Sequence, residues 1–348
     1  MGLYALVRPL LFRLDPEVAH ELTLNSIALV GRTHPLNQYV ADLWRAALPA
    51  RPVRTMGLIF TNPVGVAAGL DKDARAVDGL AMLGFGFLEL GTVTPLPQSG
   101  NPKPRMFRLT QDSALINRMG FNGAGLGEFL SRLGQASQQS IIGINLGRNA
   151  TTANEEAWRD YLTGLRAVYG VADYVSINIS SPNTQGLRDL QEQKSLDMLL
   201  ARLKQTQSEL ADQHGKYTPI VIKLAPDLTP EQLDQIAEAL IEREMDGVIA
   251  TNTTITRPSN LQSARASGES GGLSGQPLAP MAIKIVSELR QRLPATMPII
   301  GAGGIHDAAS AAAMLSAGAS LIQIYTGLIY RGPALLRDIL MGLPSEVA

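Results

Sequence analysis

The chain of 348 residues contains no cysteine. That absence excludes disulfides, thiolate nucleophiles, cysteine-ligated zinc and iron–sulfur clusters together, so any base or redox centre is built from something else. Its 4 histidines, His20, His34, His214 and His306, lie far apart and show no His-Glu-x-x-His spacing, so no metal is expected. Charge of one sign is missing too: 30 basic against 31 acidic residues leave a formal net charge of -1, with no excess to neutralise a nucleic-acid backbone. No stretch reaches the roughly 20 apolar residues that span a bilayer, since Leu3 to Leu14 is broken by Arg8, Pro9 and Arg13. No small-residue cleavage site follows that stretch, as a signal peptide needs, and Leu6 stands where an acylated Met1-Gly2 start wants Ser or Thr. A cytoplasmic protein is expected.

What the chain has is length and apolar material, 45% of its residues. It exceeds the usual single domain, but barrels of alternating strands and helices reach this size as one unit. From Asn62 onward apolar runs recur, from Val64 to Ala68, Phe87 to Leu90, Ile141 to Ile144, Tyr174 to Ile177, Ile220 to Leu224, Gly247 to Ala250, Pro298 to Ile300 and Leu321 to Ile324. Helical patterns lie between most of them, such as Trp158 to Tyr169, Ser195 to Leu210 and Pro230 to Glu242. Short strands alternating with helices predict a parallel sheet covered on its outside, and eight repeats predict closure into an α/β (β/α)8 TIM barrel. Residues 46–348 form that barrel, with insertions at Thr94 to Gln111 and Thr253 to Gly271. Residues 1–45 precede it as a two-helix extension: Leu3, Leu6, Val7, Leu10, Leu11 and Leu14 fall at helical spacing, and Asp15-Pro16 starts a second helix that runs to about Val30. Such a pair either packs on the barrel as structure or lies in a membrane surface.

The carboxyl ends of the eight strands carry Lys72, Thr92, Asn145, Asn178 with Ser181, Lys223, Thr251 with Asn252, Gly303-Gly304 and Tyr325-Thr326. In this fold those ends build the active site. The glycines from Gly301 to Gly304 and the segment Tyr325-Thr326-Gly327 stand where barrels bind phosphate, although glycines also serve a plain tight turn. His306 falls where a dinucleotide fingerprint needs its third glycine. Lys223 ends the buried run Ile220-Val221-Ile222, and an ammonium there needs an anionic or strongly polar partner. It suits either a Schiff base or the stabilisation of negative charge on a bound cofactor. Asn145, Asn178, Thr251 and Asn252 hydrogen-bond a planar ring better than they transfer protons, which favours the second. Asn178-Ile179-Ser180-Ser181-Pro182-Asn183-Thr184 sets polar groups at the mouth of a buried strand; taken alone it is also a capped turn. The polar run from Gln185 to Lys194 is expected to act as a mobile lid.

Several long motifs resemble the dihydroorotate dehydrogenases: Ala67-Ala68-Gly69-Leu70-Asp71-Lys72-Asp73, Gly91-Thr92-Val93-Thr94-Pro95, Asn117-Arg118-Met119-Gly120-Phe121-Asn122, the serine segment, Thr251-Asn252-Thr253, Gly272-Leu273-Ser274-Gly275 and Tyr325-Thr326-Gly327. They occur in the family's order across nearly the whole chain. Class 1 enzymes carry a catalytic cysteine where Ser181 stands, so the resemblance is to the quinone-dependent class 2, whose N-terminal extension contacts the membrane and admits quinone.

The resemblance implies oxidation of (S)-dihydroorotate to orotate in de novo pyrimidine (UMP) biosynthesis, with bound FMN and a ubiquinone-type acceptor. It also implies peripheral contact with the cytoplasmic side of the inner membrane and no obligate protein partner. Ser181 is implied as the catalytic base, with Thr184 and Phe121 shaping its proton relay. Orotate is assigned to Lys72, Asn117, Arg118, Met119, Gly120, Phe121, Asn178, Asn183, Asn252 and Thr253. FMN is assigned to Ala68, Gly69, Leu70, Asp71, Lys72, Thr92, Asn145, Asn178, Lys223 and Thr251, and its phosphate to Gly275, Gly304, Tyr325 and Thr326. His20, Arg108 and Tyr325 match positions of the quinone passage, though an arginine there also reads as a helix-end charge. The competing readings are another FMN barrel acting on a pyrimidine, a lyase using Lys223 as a Schiff base, and a flavin-binding or membrane-associated protein without catalysis.

Overall fold

The structure, a computed structural model, describes residues 3–32, 36–137, 140–263 and 268–344. In chain order it contains α1 (Leu3–Leu11), α2 (Pro16–Arg32), α3 (Leu36–Ala46), β1 (Val53–Thr55), β2 (Leu58–Phe60), β3 (Val64–Val66), α4 (Val77–Ala81), β4 (Phe87–Val93), β5 (Met106–Leu109), β6 (Ala114–Asn117), α5 (Gly125–Leu133) and β7 (Ile141–Leu146). It continues with α6 (Ala157–Val168), β8 (Tyr174–Asn178), α7 (Gln193–His214), β9 (Ile220–Leu224), α8 (Pro230–Glu242), β10 (Gly247–Ala250), β11 (Gly272–Gly275), α9 (Ala279–Arg292), β12 (Ile299–Ala302), α10 (Ala308–Ser316), β13 (Leu321–Ile324), α11 (Thr326–Arg331) and α12 (Ala334–Gly342).

Strands β3, β4, β7, β8, β9, β10, β12 and β13 pair in that order and close into a barrel. Every neighbouring pair is parallel. All eight expected apolar runs are barrel strands, so the TIM-barrel expectation holds. Alternate residues on a strand face opposite sides. Leu88, Val175, Ile222 and Val248 therefore pack outward against the helices, whereas Phe87, Tyr174, Val221, Ile249, Ile300 and Leu321 cluster inside the barrel.

A hairpin closes the bottom of the barrel. Thr55 pairs with Leu58 across Met56-Gly57, both at positive φ, 53 and 72, the backbone of a tight type I′ connection that needs a glycine-tolerant second position. It delivers Phe60 edge-on to Phe87, with ring centroids 5.4 Å apart, and Phe87 in turn meets Tyr174 at 6.2 Å. Two strand glycines make room for these rings. A Cβ on Gly65 would come within 2.4 Å of Phe87, and one on Gly143 within 2.1 Å of Tyr174.

At the other end, β5, β6 and β11 form an antiparallel sheet in the order β11-β6-β5. Only β5 falls inside an expected insertion; β6 and β11 begin just after the two insertions end. Their pairing joins segments far apart in the chain, with Ser274 Oγ donating to Leu115 O across 159 residues, which no local pattern announces.

The extension corrects one expectation: it holds three described helices rather than two. Helix α2 begins as predicted, with Asp15 Oδ1 accepting the Glu17 and Val18 N–H groups at 2.9 and 3.2 Å ahead of Pro16. Helix α3 is tied down by Trp44, whose Nε1 donates to Leu83 O at 2.9 Å, a tertiary contact invisible in its short mixed pattern. Helix α1 is held on the barrel by Arg8, which donates to Tyr330 O at 2.9 Å.

Replacing Gly143 by Ala should drive a methyl group into the Tyr174 ring and lower stability by about 1–3 kcal/mol. Denaturant unfolding measures it, and an unchanged midpoint would show that the barrel floor has slack.

Candidate active site

One layer above the aromatic floor the inward positions turn polar. Glu89 on β4 is fully buried, at 0% exposure. Its Oε1 accepts from Lys223 Nζ on β9 at 3.2 Å and from Asn145 Nδ2 on β7 at 2.9 Å. Its Oε2 accepts from Tyr174 OH on β8 at 3.0 Å and from Gln323 Nε2 on β13 at 2.5 Å. Five strands therefore meet on one carboxylate, and Glu89 is the anionic partner that a buried Lys223 requires. It was missed in the motif reading, as were Ser176 and Gln323. Each sits two residues from an inward apolar residue in its run, a period-2 signal that reading strand ends alone overlooks.

Above this layer the carboxyl ends of the strands surround a cavity of about 1230 Å³, its mouth included. Among its lining residues are Lys72, Thr92, Asn117, Phe121, Asn178, Ser181, Asn183, Lys223, Thr251, Asn252 and Thr253, together with Gly275, Gly304, Tyr325 and Thr326 at the other end. Ala68, Gly69, Met119 and Gly120 also face it. The amides are locked in one orientation. Asn178 Oδ1 accepts from Asn252 Nδ2 at 3.2 Å and Ser180 Oγ at 3.1 Å, while its Nδ2 donates to Thr92 Oγ1 at 3.1 Å and Asn145 Oδ1 at 3.3 Å. Lys72 donates to Asn122 Oδ1 at 2.6 Å. Burial, reinforced by the charge of Arg105, pulls its ammonium down to about 8.

Ser181 follows β8 at a turn in which its Oγ accepts the Asn183 N–H at 3.2 Å, and Asn183 Nδ2 reaches Asn117 Oδ1 at 3.1 Å. Among the described residues, Thr184 Oγ1, Thr253 Oγ1 and Gln323 Oε1 are buried without a hydrogen-bond partner. Thr253 and Gln323 line the cavity, and orphaned polar atoms beside a cavity call for a ligand or ordered water.

Five expected site residues stand elsewhere. Thr184 is buried and is not among the residues that line the cavity. The Arg118 side chain leaves the wall: it pairs with Glu269 at 2.7 Å and stacks on the Phe107 ring at 4.5 Å, because β11 and its preceding loop offer a carboxylate on the outer side. Asp71 is a structural cap, its carboxylate accepting the Arg75 and Ala76 N–H groups at 2.9 and 2.7 Å. Leu70 faces a second cavity. Asn145 lies beneath the cavity wall, in the Glu89 network.

The segment from Gln185 to Lys194, expected to act as a mobile lid, lies packed at the cavity mouth. Leu187 and Leu190 are buried in the core. Arg188 ties the segment to both sides of the mouth, donating to Ser180 O at 3.1 Å, Thr253 O at 2.8 Å and Asp227 Oδ2 at 2.9 Å.

The second cavity, about 1010 Å³ with its mouth, is almost wholly apolar and lies between α1, α2 and α11. His20, Met106, Leu115 and Tyr325 line both cavities, so the two share a wall. Burial, with the charge of Lys72, lowers the His20 imidazole to about 4, which leaves it neutral at pH 7. Arg108 stands in the apolar wall and also serves as a helix-end charge, donating to Leu14 O at 2.7 Å and Phe12 O at 3.2 Å at the end of α1.

A protein-family model described as Dihydroorotate dehydrogenase matches residues 52–347. The chain belongs to the dihydroorotate dehydrogenase family. A dihydroorotate dehydrogenase (quinone) of Idiomarina loihiensis is 51% identical over 98% of this chain and 100% of its own length. One of Herminiimonas arsenicoxydans is 53% identical over 97% and 96%. A crystal structure of the enzyme from Eimeria tenella in complex with ferulenol superposes with a TM-score of 0.86 at 38% identity, covering 94% of this chain and 90% of that one.

Dihydroorotate dehydrogenases are flavin-dependent oxidoreductases, and the donor set fits such a group. Lys223 has three N–H donors and spends one on Glu89, leaving a cation at the floor of a cavity rimmed by amides and, at one end, by glycine backbone. Changing Glu89 to Leu leaves that buried ammonium without its anionic partner and should lower stability by about 3–5 kcal/mol. Unfolding of the Glu89→Leu/Lys223→Met double variant, expected to recover most of the loss, checks that the charge and not the packing is responsible.

Proposed function

We propose that this chain oxidises (S)-dihydroorotate to orotate with FMN as its bound cofactor and a ubiquinone-type quinone as electron acceptor, in pyrimidine biosynthesis. The observation that carries the proposal is a polar cavity holding a serine that shares a wall with an apolar cavity roofed by the N-terminal helices. FMN, held by Ala68, Gly69, Thr92, Lys223 and Thr251, would supply the acceptor for the hydride from C6 of the substrate and the route for two electrons to quinone. The residues supply the rest. Ser181 takes the C5 proton. A serine hydroxyl is a weak base, so the proton needs an onward acceptor, and the unpartnered Thr184 Oγ1 together with the Phe121 ring suits a screened relay.

Asn117, Asn178, Asn183 and Asn252 match the alternating C=O and N–H groups of the orotate ring, and the Lys72 ammonium its carboxylate. Thr253, Met119, Gly120 and the backbone of Arg118 complete that side. Ala68, Gly69, Thr92, Lys223 and Thr251 suit the isoalloxazine, and Gly275, Gly304, Tyr325 and Thr326 the phosphate. His20, Arg108 and Tyr325 then border the quinone passage.

Residues 1–45 serve as the extension that reaches the cytoplasmic side of the inner membrane, and residues 46–348 as the catalytic barrel. Leu6, Leu10 and Leu29 are 74%, 62% and 65% exposed, a surface suited to lying among lipid headgroups with arginines at its flanks. No helix among the described residues is long and apolar enough to cross a membrane.

Anaerobic addition of dihydroorotate should bleach the visible spectrum of the purified protein and added quinone should restore it; a colourless protein that refuses riboflavin phosphate overturns the reading. Ser181→Ala should keep the colour and lose roughly 10²–10⁴-fold in the bleaching rate. Lys72 is protonated below about pH 8, so orotate affinity should hold at pH 7 and weaken by about tenfold per unit at higher pH. Titration by difference spectra checks this, and a profile equally flat in the parent and in Lys72→Met removes the carboxylate contact.

A further inference from the structure

The extension touches the substrate side of the barrel as well as the quinone side. Glu17, in the first turn of α2, is buried, and so is Arg105, which precedes β5. The two form a bidentate pair, with Nη2 to Oε1 at 2.7 Å and Nε to Oε2 at 3.2 Å. The remaining donor face of Arg105 organises the loop before it: Nη1 donates to Ser99 O at 2.6 Å and to Asn101 O at 2.9 Å. Asn101 in turn bridges two segments of the substrate pocket, its Nδ2 donating to Arg118 O at 2.9 Å and to Asn183 O at 3.1 Å. Asn183 is the residue whose N–H bonds Ser181 Oγ at 3.2 Å.

We infer that the Glu17–Arg105 pair couples docking of the extension to the geometry of the catalytic base, with Arg105 a positioning residue that acts on Ser181 through Asn101 and Asn183. The inference rests on the proposed role of Ser181. A buried guanidinium that loses its carboxylate does not stay in place. If α2 lifts, the fork that aligns Ser99, Asn101 and Asn183 is released, and a displacement of about 1 Å at a catalytic group is enough to slow chemistry a hundredfold. The same helix supplies Ala19, His20, Thr23, Leu24 and Ile27 to the apolar cavity. Substrate oxidation is thereby tied to an assembled acceptor passage, and a chain with its extension undocked does not reduce its cofactor idly.

A second anchor of α2 provides the control. Arg75 pairs with Glu21 at 2.6 Å, on the same helix one turn later, and this pair makes no bond toward Asn101 or Asn183. In the full-length holoenzyme, Glu17→Gln and Arg105→Lys should slow anaerobic bleaching at saturating dihydroorotate by roughly 10- to 100-fold, with reoxidation by a short-chain soluble quinone unchanged. Glu21→Gln should bleach at the parent rate. Asn101→Ala cuts the chain without touching α2 and should reproduce the slow bleaching, so the inference stays testable if Glu17→Gln folds poorly. Parent-rate bleaching in Asn101→Ala, or equal slowing in Glu21→Gln and Glu17→Gln, overturns it. A parent enzyme that dihydroorotate does not bleach at all sinks the proposed function instead, a result distinct from either.

Discussion

A single carboxylate organises the centre of this barrel. Glu89 gathers donors from Lys223, Asn145, Tyr174 and Gln323, and its layer divides the interior into an apolar plug below and a hydrogen-bonding cavity above. An isolated ammonium at that depth would give up its proton, because a buried charge is tolerated only when paired and hydrogen-bonded. Glu89 therefore allows a cation to stand at the cavity floor, where under the proposed function it would face a cofactor that gains negative charge on reduction. The aromatic floor beneath, closed by Phe60 from the hairpin, keeps water from reaching this layer from below.

The two cavities divide the chemistry by polarity. One is rimmed by amides and by Lys72, whose ammonium is held near the edge of its charged range; the other is apolar and contains a histidine kept neutral by burial. They meet at His20, Met106, Leu115 and Tyr325, so electrons need cross only a wall. Under the proposed function a polar substrate and an apolar acceptor would in this way be kept in separate surroundings. The extension belongs to both compartments, through the apolar faces of α1 and α2 and through the Glu17–Arg105 pair.

Local chemistry explains what was readable beforehand. The apolar runs, Asp15-Pro16 at the start of α2 and the helical pattern from Pro230 to Glu242 that forms α8 act within a few residues, and they folded as their patterns indicate. The ring of Lys72, Thr92, Asn178, Lys223 and Thr251 was legible because strand ends of a closed barrel converge. Arginines were not legible. Arg118, inside a recognisable motif, turns outward to Glu269, whereas Arg105, in no motif, is the one buried against Glu17, 88 residues earlier. The polar composition from Gln185 to Lys194 gave no sign that Leu187 and Leu190 are buried or that Arg188 bonds both sides of the mouth.

By itself the sequence determined the fold class, the strand ends that face the cavity and the family, since periodicity, caps and motif residues are properties of neighbouring positions. Tertiary structure decided which polar groups meet: Lys223 with Glu89 across 134 residues, Gln323 with the same carboxylate across 234, Arg105 with Glu17. Such partners are set by strand order, register and barrel closure, which bring distant side chains to one point, and no local pattern carries that distance.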